Sequence, residues 1–246
     1  MRKQNIIYGR HPVLDALKEG QSIDKILLQK GTRGIYEKEL RDLASREHIP
    51  VQMVPKEKLN RVTGGTHQGV IAFAALVAYQ RLESILPFLF EQSQTPLIVL
   101  LDSITDVRNF GAIARSAECM GAHALVVGAR SAAPINAESL KTSAGALGRI
   151  PVCREASLSL AIKQLQLSGL SVFASDLQAE KKLPDLDLTV PAAILLGSEG
   201  DGVHPSLLRK TDERFIIPQL GQTDSLNVSV ASGVILYEAM RQRMAE

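Results

Sequence analysis

Three segments of the sequence combine residue types and spacings that point to ligand chemistry. The first is NFGAIAR at residues 109–115, which begins with Asn109 and ends with Arg115. Asparagine commonly caps a helix through its side-chain oxygen. Arg115, six residues on, would then project from the second helical turn. Taken alone, the segment is at least as well explained by a capped helix with an arginine on its surface.

The second segment is LLGSEGDG at residues 195–202, where an apolar run leads into three glycines. Gly197, Gly200 and Gly202 allow the backbone to turn sharply and to approach a ligand closely. Their spacing differs from the dinucleotide fingerprint, and no Gly-Lys-Ser/Thr follows, so neither a dinucleotide site nor a phosphate loop is indicated. Glu199 would repel phosphate. A neutral or cationic ligand, such as a sulfonium, is therefore favoured, with an ordinary turn as the alternative.

The third segment, residues 216–230, reads as a strand end, a polar loop and the start of a helix rich in small residues. Ser225 and Asn227 lie at the junction of loop and helix, where exposed backbone N–H groups can bind a ligand. Helix capping explains this segment equally well when it is considered alone. However, all three segments follow predicted strands, and ligands of open α/β sheets bind outside the carboxyl ends of strands. Their common placement favours one ligand site.

The elements that would position these segments alternate between strand and helix. The run PLIVLLD at residues 96–102 is typical of a strand buried on both faces of a parallel sheet. Further strands are predicted at 124–127, 170–174, 192–196 and 214–217, with helices at 109–121, 157–167 and 228–244. This alternation predicts an α/β fold with a mainly parallel sheet. Shorter strands and helices before residue 78 predict a small α/β domain at 1–78, a linker with one helical turn or more at 79–95, and a second domain at 96–246.

Composition is that of an ordinary globular protein, with 45% hydrophobic and 22% charged residues in a chain of 246. The longest uncharged apolar-rich stretch, residues 69–79, is shorter than the roughly 20 residues that cross a bilayer. Arg10 and His11 come before any signal-peptide core can form. We therefore expect a cytoplasmic protein with no membrane span and with Cys119 and Cys153 reduced. The spacing of cysteines and histidines predicts no metal site.

Positive charge is concentrated in the N-terminal third of the chain. Residues 1–80 hold 13 basic and 8 acidic residues, whereas the remaining residues hold 15 basic and 18 acidic ones. Basic residues in this region could neutralise phosphates of a nucleic acid. Because acids are interleaved with them, a mixed solvated surface is an equally good interpretation.

The chain resembles the SpoU family of RNA ribose 2′-O-methyltransferases, and closely resembles its bacterial 23S ribosomal RNA guanosine branch. NFGAIARSA at 109–117, LLGSEGDGV at 195–203 and IPQLGQTDSLNVSVASG at 217–233 are similar to the three motifs of the family in order and spacing. YGRHPVLDAL at 8–17 and THQGV at 66–70 resemble the substrate-binding domain of the ribosomal RNA branch, which shorter relatives acting on transfer RNA lack. The resemblance covers nearly the whole chain.

The resemblance implies transfer of a methyl group from S-adenosylmethionine to a ribose 2′-hydroxyl of RNA, with a guanosine of 23S ribosomal RNA as the expected target. It implies a C-terminal parallel-sheet domain threaded into a trefoil knot, a small N-terminal α/β RNA-binding domain, and a homodimer whose subunits complete each site. The residues implied to hold the donor are Gly197, Gly200, Ile217, Pro218 and Leu226. Those implied to surround the ribose are Asn109, Arg115, Glu199, Ser225 and Asn227.

Arg115 is the residue that the resemblance favours as activator of the hydroxyl. A guanidinium pKa above about 12 makes neutral arginine scarce, so binding phosphate and stabilising oxyanion charge suit it better than proton abstraction. Glu199 could orient Arg115 or Asn109 instead of acting as a base. Two positions depart from the family pattern, Val107 where proline is frequent and Gln219 where an apolar residue is common.

Other functions fit parts of the sequence. A transfer RNA 2′-O-methyltransferase would use the same motifs. A non-catalytic factor that binds ribosomal RNA during assembly would keep the fold, but the intact polar motif residues argue against it. A nucleotide-dependent oxidoreductase would need a cofactor fingerprint that this sequence lacks.

Overall fold

The computed structural model describes residues 6–129 and 132–245, which divide into two compact units, one ending at Ala78 and the other beginning at Tyr79. Residues 1–5 of the predicted first domain, residues 130–131 and residue 246 lie outside the described residues. The elements of the first unit are β1 Ile6–Tyr8, α1 Arg10–Lys18, β2 Ile23–Gln29, α2 Ile35–Arg46, β3 Val51–Val54, α3 Lys56–Val62 and β4 Val70–Ala74.

The first unit is built on a four-stranded sheet with the order β1-β4-β2-β3. Strand β4 runs antiparallel to both β1 and β2, and β2 runs parallel to β3. Side chains alternate across this sheet: Ile26 and Leu28 belong to one apolar cluster and Leu27 to another. Both faces of the sheet are therefore buried, which requires helices on each side.

The second unit contains the larger sheet and the predicted ligand-binding segments. Its elements are β5 Tyr79–Gln80, α4 Leu82–Glu91, β6 Leu97–Leu101, α5 Val107–Cys119, β7 Ala124–Gly128, α6 Ala137–Thr142, a 3-10 turn Ala146–Gly148, β8 Val152–Glu155, α7 Leu158–Leu167, β9 Ser171–Ser175, a 3-10 turn Leu183–Asp185, β10 Ala192–Leu196, α8 Pro205–Leu208, β11 Glu213–Phe215 and α9 Val228–Met244.

The larger sheet has the order β11-β9-β10-β6-β7-β8-β5, and each of these described pairings is parallel. Every residue of β6 and β10 is buried, as expected for central strands covered by helices on both faces. The predicted α/β fold with a mainly parallel sheet is confirmed. The trefoil knot stays a prediction from the family resemblance.

Residues 79–95 contribute an edge strand and a helix to the second unit. Strand β5 pairs with β8, and α4 is a helix of ten residues where at least one helical turn was expected. Leu82 and Leu86 of α4 are buried in the same apolar cluster as Leu100 of β6 and Leu165 of α7. The packing of α4 on the sheet explains why this segment is ordered. Within the described residues, no helix is both long and apolar enough to cross a membrane.

Candidate active site

The three segments that the sequence singled out follow strand ends of the larger sheet. Helix α5 follows β6, the glycine-rich loop follows β10, and the polar loop before α9 follows β11. Strands β6 and β10 are direct neighbours, paired from Leu97 with Ala192 to Leu101 with Leu196. The first two segments therefore leave the same edge of the sheet side by side.

Helix α5 begins earlier than the sequence predicted, and this releases a polar side chain. Asp106, not Asn109, is the N-cap, because its Oδ1 accepts hydrogen bonds from the backbone N of Arg108 at 2.9 Å and of Asn109 at 2.8 Å. The expectation that Asn109 caps the helix is wrong. Asn109 instead lies in the first turn, where its side chain is free to bind residues of other segments.

The side chains of Asn109, Glu199 and Asn227 form a closed hydrogen-bonded cluster. The Asn109 Nδ2 donates to Glu199 Oε2 at 3.1 Å, and the Asn227 Nδ2 lies 3.2 Å from the same oxygen and 3.1 Å from Asn109 Oδ1. One carboxylate oxygen thus orients two amides from different elements. The structure brings together three predicted site residues that are 90 and 28 positions apart in the chain.

Asn227 has two roles at once. Its Oδ1 accepts from the Ser229 backbone N at 2.9 Å and from the Ser229 Oγ at 2.6 Å, which makes it the N-cap of α9. Its Nδ2 meanwhile points to the cluster. The capping interpretation of the third segment is therefore correct, and the same residue also belongs to the site.

The glycine-rich loop is a tight turn that requires glycine. Ser198 and Gly202 pair through two backbone hydrogen bonds of 3.1 and 3.0 Å. A Cβ on Gly197 would lie 1.9 Å from the carbonyl carbon of Gly202, which no side chain can occupy. Gly200 and Gly202 have positive φ angles of 96° and 68°, which favour glycine. The loop folds back on itself and leaves Glu199 at its tip.

Asp102, which the sequence analysis did not identify, ties the glycine-rich loop to β6. It is buried at the end of that strand, and its Oδ2 accepts from the backbone N of His204 at 2.9 Å. Its Oδ1 accepts from the Ser103 Oγ at 3.0 Å. The sequence carried a signal for this role, because Asp102 stands directly after a strand that was predicted to be buried. A buried carboxylate is costly unless hydrogen-bond donors surround it.

A cavity of about 380 Å³ lies beside the cluster. The predicted site residues that line it are Gly197, Glu199, Gly200, Ile217, Ser225 and Leu226. Asn109, Arg115, Pro218 and Asn227 lie outside this lining. The volume falls within the range of roughly 300–1,000 Å³ that is usual for small-molecule sites.

Part of the cavity wall comes from the loop after β9, which the sequence analysis missed. Ser175, Asp176, Leu177 and Gln178 line the cavity from this side. Asp176 holds the loop in place, since its carboxylate accepts from the Gln178 backbone N at 3.0 Å and from Arg214 at 3.2 Å. Strand β9 runs parallel to β10 and pairs with it. Since ligands of such sheets bind outside the carboxyl ends of neighbouring strands, the loop after β9 could have been predicted to contribute to the site.

Arg115 is separate from the cluster in the single chain. It is exposed on α5, and with the described residues it makes no hydrogen bond or ion pair. Six residues along a helix correspond to a rotation of about 120° away from Asn109. The described part of the chain also contains no group of His, Cys, Asp and Glu that could hold a metal ion.

The parallel sheet and the strand-end cavity beside a polar cluster define an α/β protein with a candidate small-molecule site. Comparison with known sequences identifies the class. The chain belongs to the SpoU rRNA Methylase family, whose sequence model matches residues 96–237. Residues 6–80 match the model for RNA 2′-O ribose methyltransferase substrate binding. The chain is therefore an RNA methyltransferase with a substrate-binding domain in its N-terminal part.

Similar proteins extend over the whole chain. YacO of Bacillus subtilis, assigned to the TrmH family of tRNA/rRNA methyltransferases, is 31% identical over 98% of this chain and 97% of its own. A crystal structure of an AdoMet-bound rRNA methyltransferase from Sinorhizobium meliloti is 26% identical with a TM-score of 0.61, covering 96% of this chain and 86% of that one. A TrmH/SpoU tRNA modifying enzyme of A. aeolicus is 31% identical with a TM-score of 0.57, covering 66% of this chain and 84% of that one.

Proposed function

We propose that this protein transfers the methyl group of S-adenosylmethionine to a ribose 2′-hydroxyl of RNA, with a guanosine of 23S ribosomal RNA as the target. The observation that carries the proposal is the Asn109, Glu199 and Asn227 cluster at the edge of a cavity of about 380 Å³. The amides and the carboxylate of this cluster could hold the ribose 2′-hydroxyl by hydrogen bonds. The cavity has room for a small-molecule donor beside it.

The residues of the cavity suit a cationic donor. Gly197, Gly200, Ile217 and Leu226 line this space. Pro218 follows Ile217 and restricts the backbone there. The carboxylate of Glu199 lines the cavity and would attract a sulfonium. S-adenosylmethionine supplies the methyl group as an electrophile when it is bound.

Catalysis in this site rests on positioning. The acceptor oxygen must stand in line with the methyl carbon and its leaving group, and holding reactants in such a geometry can provide a large part of the rate. Glu199 Oε2 is occupied by the two amides, which fixes both of them. Its Oε1 is left for the acceptor hydroxyl, with Ser225 on the cavity wall as a further polar contact.

Arg115 would enter the site through a second subunit. Val230, Val234 and Tyr237 form an apolar stripe on α9 and are 53%, 39% and 53% exposed. Helix α9 packs closely against α5: a Cβ added to Gly233 would be in van der Waals contact with the Ser116 Oγ, at 3.7 Å. A homodimer that covers this stripe would also cover the neighbouring face of α5. Arg115 would then serve the site of the partner, where a fixed cation stabilises phosphate or oxyanion charge.

The match to a substrate-binding domain at residues 6–80 favours ribosomal RNA over transfer RNA. In support, the AdoMet-bound rRNA methyltransferase aligns with 96% of this chain, whereas the tRNA modifying enzyme aligns with 66%. Transfer RNA is the second candidate, because relatives are named for both substrates. Methylation of purified transfer RNA at a rate equal to or above that of 23S ribosomal RNA would reverse the choice.

The test of the proposed chemistry is the Arg115→Ala variant. We expect methyl transfer to RNA to be abolished while calorimetry shows nearly unchanged binding of S-adenosylmethionine. Lys163→Ala removes the same charge from an exposed position of α7, which belongs to neither α5 nor α9, and should leave transfer unchanged. Full activity of Arg115→Ala, or no donor binding by the unaltered protein, would refute the proposal. Mapping 2′-O-methyl groups in ribosomal RNA from cells with and without the protein identifies the nucleotide.

A further inference from the structure

The loops of the first unit gather at one edge of its sheet. Because β1, β2 and β3 run opposite to β4, their carboxyl ends lie beside the start of β4. The register shows this directly, with Tyr8 opposite Ile71 and Leu28 opposite Val70. Residues 9–12, 29–34, 55–56 and 63–69 form this edge, here called the basic edge.

Unpaired cations gather at one edge of this sheet. The basic edge contains Arg10, Lys30, Arg33 and Lys56, and Glu57 directly follows Lys56. The opposite edge, where α1 and α2 end, has two basic and two acidic residues at positions 18, 19, 46 and 47, so its charge is balanced. None of the four cations of the basic edge has an ion pair with a residue that the structure describes. They are therefore available to phosphates.

Tyr8 adds an aromatic surface to this edge. Its side chain is 40% exposed at the end of β1. The 63–69 loop passes close against it, because a Cβ on Gly65 would lie 2.6 Å from the Tyr8 Cε2. The glycine backbone thus supports part of the ring while another part faces solvent. An aromatic ring among unpaired cations is the arrangement on which unpaired bases stack.

Hydrogen bonds hold the basic edge in one conformation. The buried ring of His67 bonds to Asn60 Oδ1 through Nε2 at 2.8 Å and accepts from the Gly69 backbone N through Nδ1 at 3.0 Å. Gln68 Oε1 accepts from the Arg10 backbone N at 3.0 Å, which links the 63–69 loop to the start of α1. The Arg10 guanidinium lies 5.2 Å from the centre of the Tyr36 ring. A surface that is already ordered loses little entropy when it binds a ligand.

We infer that the basic edge binds single-stranded RNA, with one unpaired base stacked on Tyr8 and flanking phosphates bound by Lys30, Arg33 and their neighbours. This inference rests on the proposed function, since it names how the first unit holds the substrate RNA. An acidic peptide would use the same cations, but it would not need the exposed ring. Dependence on the ring is therefore the feature that distinguishes RNA.

The experiment measures binding of the full chain to a 23S ribosomal RNA transcript at several salt concentrations. Tyr8→Ala should weaken binding by roughly 5- to 150-fold, the usual contribution of one stacked base, while Tyr8→Phe stays within about twofold. The double variant Lys30→Ala and Arg33→Ala should lower the slope of log affinity against log salt by about 1.4, given about 0.7 for each phosphate contact of a single strand.

The matched control is Lys18→Ala with Arg46→Ala, which removes the same charge from the far ends of α1 and α2. It should leave the salt slope unchanged. The inference is overturned if Tyr8→Ala binds RNA as tightly as the unaltered protein does, or if both double variants change the salt slope equally. It is also overturned if polyglutamate displaces RNA equally well from Tyr8→Ala and from Tyr8→Phe, because the ring would then play no part in binding RNA. Binding is measured without methyl transfer, so this surface and the proposed function can fail separately. If the unaltered protein transfers methyl groups and all of the variants bind RNA normally, the basic edge is rejected as the RNA-binding surface and the proposed function is kept.

Discussion

Replacing Gly197 with alanine should damage the donor site more than any other single methyl group added to the glycine-rich loop. A Cβ at this position would lie 1.9 Å from the Gly202 carbonyl carbon and 2.1 Å from the Val203 backbone N. Both contacts are backbone atoms, which cannot rotate away as the end of a side chain can. Ordinary contact begins near 3.4 Å, so the loop must move by about 1.5 Å.

The expected loss follows from the hydrogen bonds that this movement breaks. Ser198 and Gly202 are joined by two backbone bonds, each of which contributes about 1 kcal/mol. Their loss amounts to about 2 kcal/mol, equivalent to a roughly 30-fold weaker affinity for S-adenosylmethionine if the whole cost falls on the binding conformation. Glu199 stands on this loop, so the cluster with Asn109 should be displaced as well.

Calorimetric titration with S-adenosylmethionine and thermal unfolding measure the two consequences of Gly197→Ala. Gly148→Ala is the matched control, because nothing lies within 4 Å of the added carbon there and the glycine is exposed. The control should bind the donor normally and unfold within about 0.5 kcal/mol of the unaltered protein. Normal donor affinity in Gly197→Ala would refute the steric argument.

Three further predictions concern other parts of the second unit. Glu199→Gln keeps the size of the side chain and removes its charge, so single-turnover assays should show methyl transfer slowed by about 10- to 100-fold, and an unchanged rate would exclude a role for the carboxylate. Arg243 donates to the carbonyls of residues 95, 96, 188 and 190 at 2.8–3.1 Å, and Arg243→Ala should therefore lower the free energy of unfolding by about 2–4 kcal/mol in denaturant titrations, against about 1 kcal/mol or less for Arg241→Ala. Burial raises the pKa of the Cys153 thiol to about 12, so the thiol stays protonated in the folded protein, and iodoacetamide at pH 8 should label Cys119 alone by mass spectrometry. Because the unfolded thiol has a pKa of about 8.5, the contribution of Cys153 to stability is lost as the pH rises from there towards 12.

The buried elements could be predicted from the sequence because burial leaves a simple pattern. Strand β10 and helix α9 have the bounds that apolar runs and helical periodicity predicted. Strand β8, Val152–Glu155, was not predicted, since Arg154 and Glu155 interrupt its apolar character. Arg154 is nevertheless buried and lies 4.0 Å from the centre of the Tyr79 ring. The Tyr79 ring belongs to β5, a strand far from β8 in the sequence, so its contact with Arg154 could not be predicted from the local pattern.

The residues of the site were easier to predict from the sequence than the hydrogen bonds between them. Residue types alone marked the three segments, but they could not decide whether Asp106 or Asn109 caps α5. Both residue types are good caps. In the structure Asp106 is the cap, and the Asn109 side chain bonds to Glu199, which lies 90 positions away and is not visible in the local sequence. The basic edge was likewise hidden in a mixed sequence, because its four cations come together only when the strand directions assign each loop to an edge.

The geometry of α5 explains why Asn109 and Arg115 occur in one short motif without meeting in one chain. At 100° per residue, Asn109 and Arg115 face directions about 120° apart, whereas Arg108 and Arg115 differ by only about 20°. Between them Gly111 packs so closely on α6 that a Cβ would lie 2.7 Å from the Ser139 carbonyl oxygen. That contact fixes the rotation of α5. Asn109 thereby faces the cluster with Glu199, and Arg115 lies exposed on another face of α5, where we propose that it acts on RNA or on a neighbouring subunit.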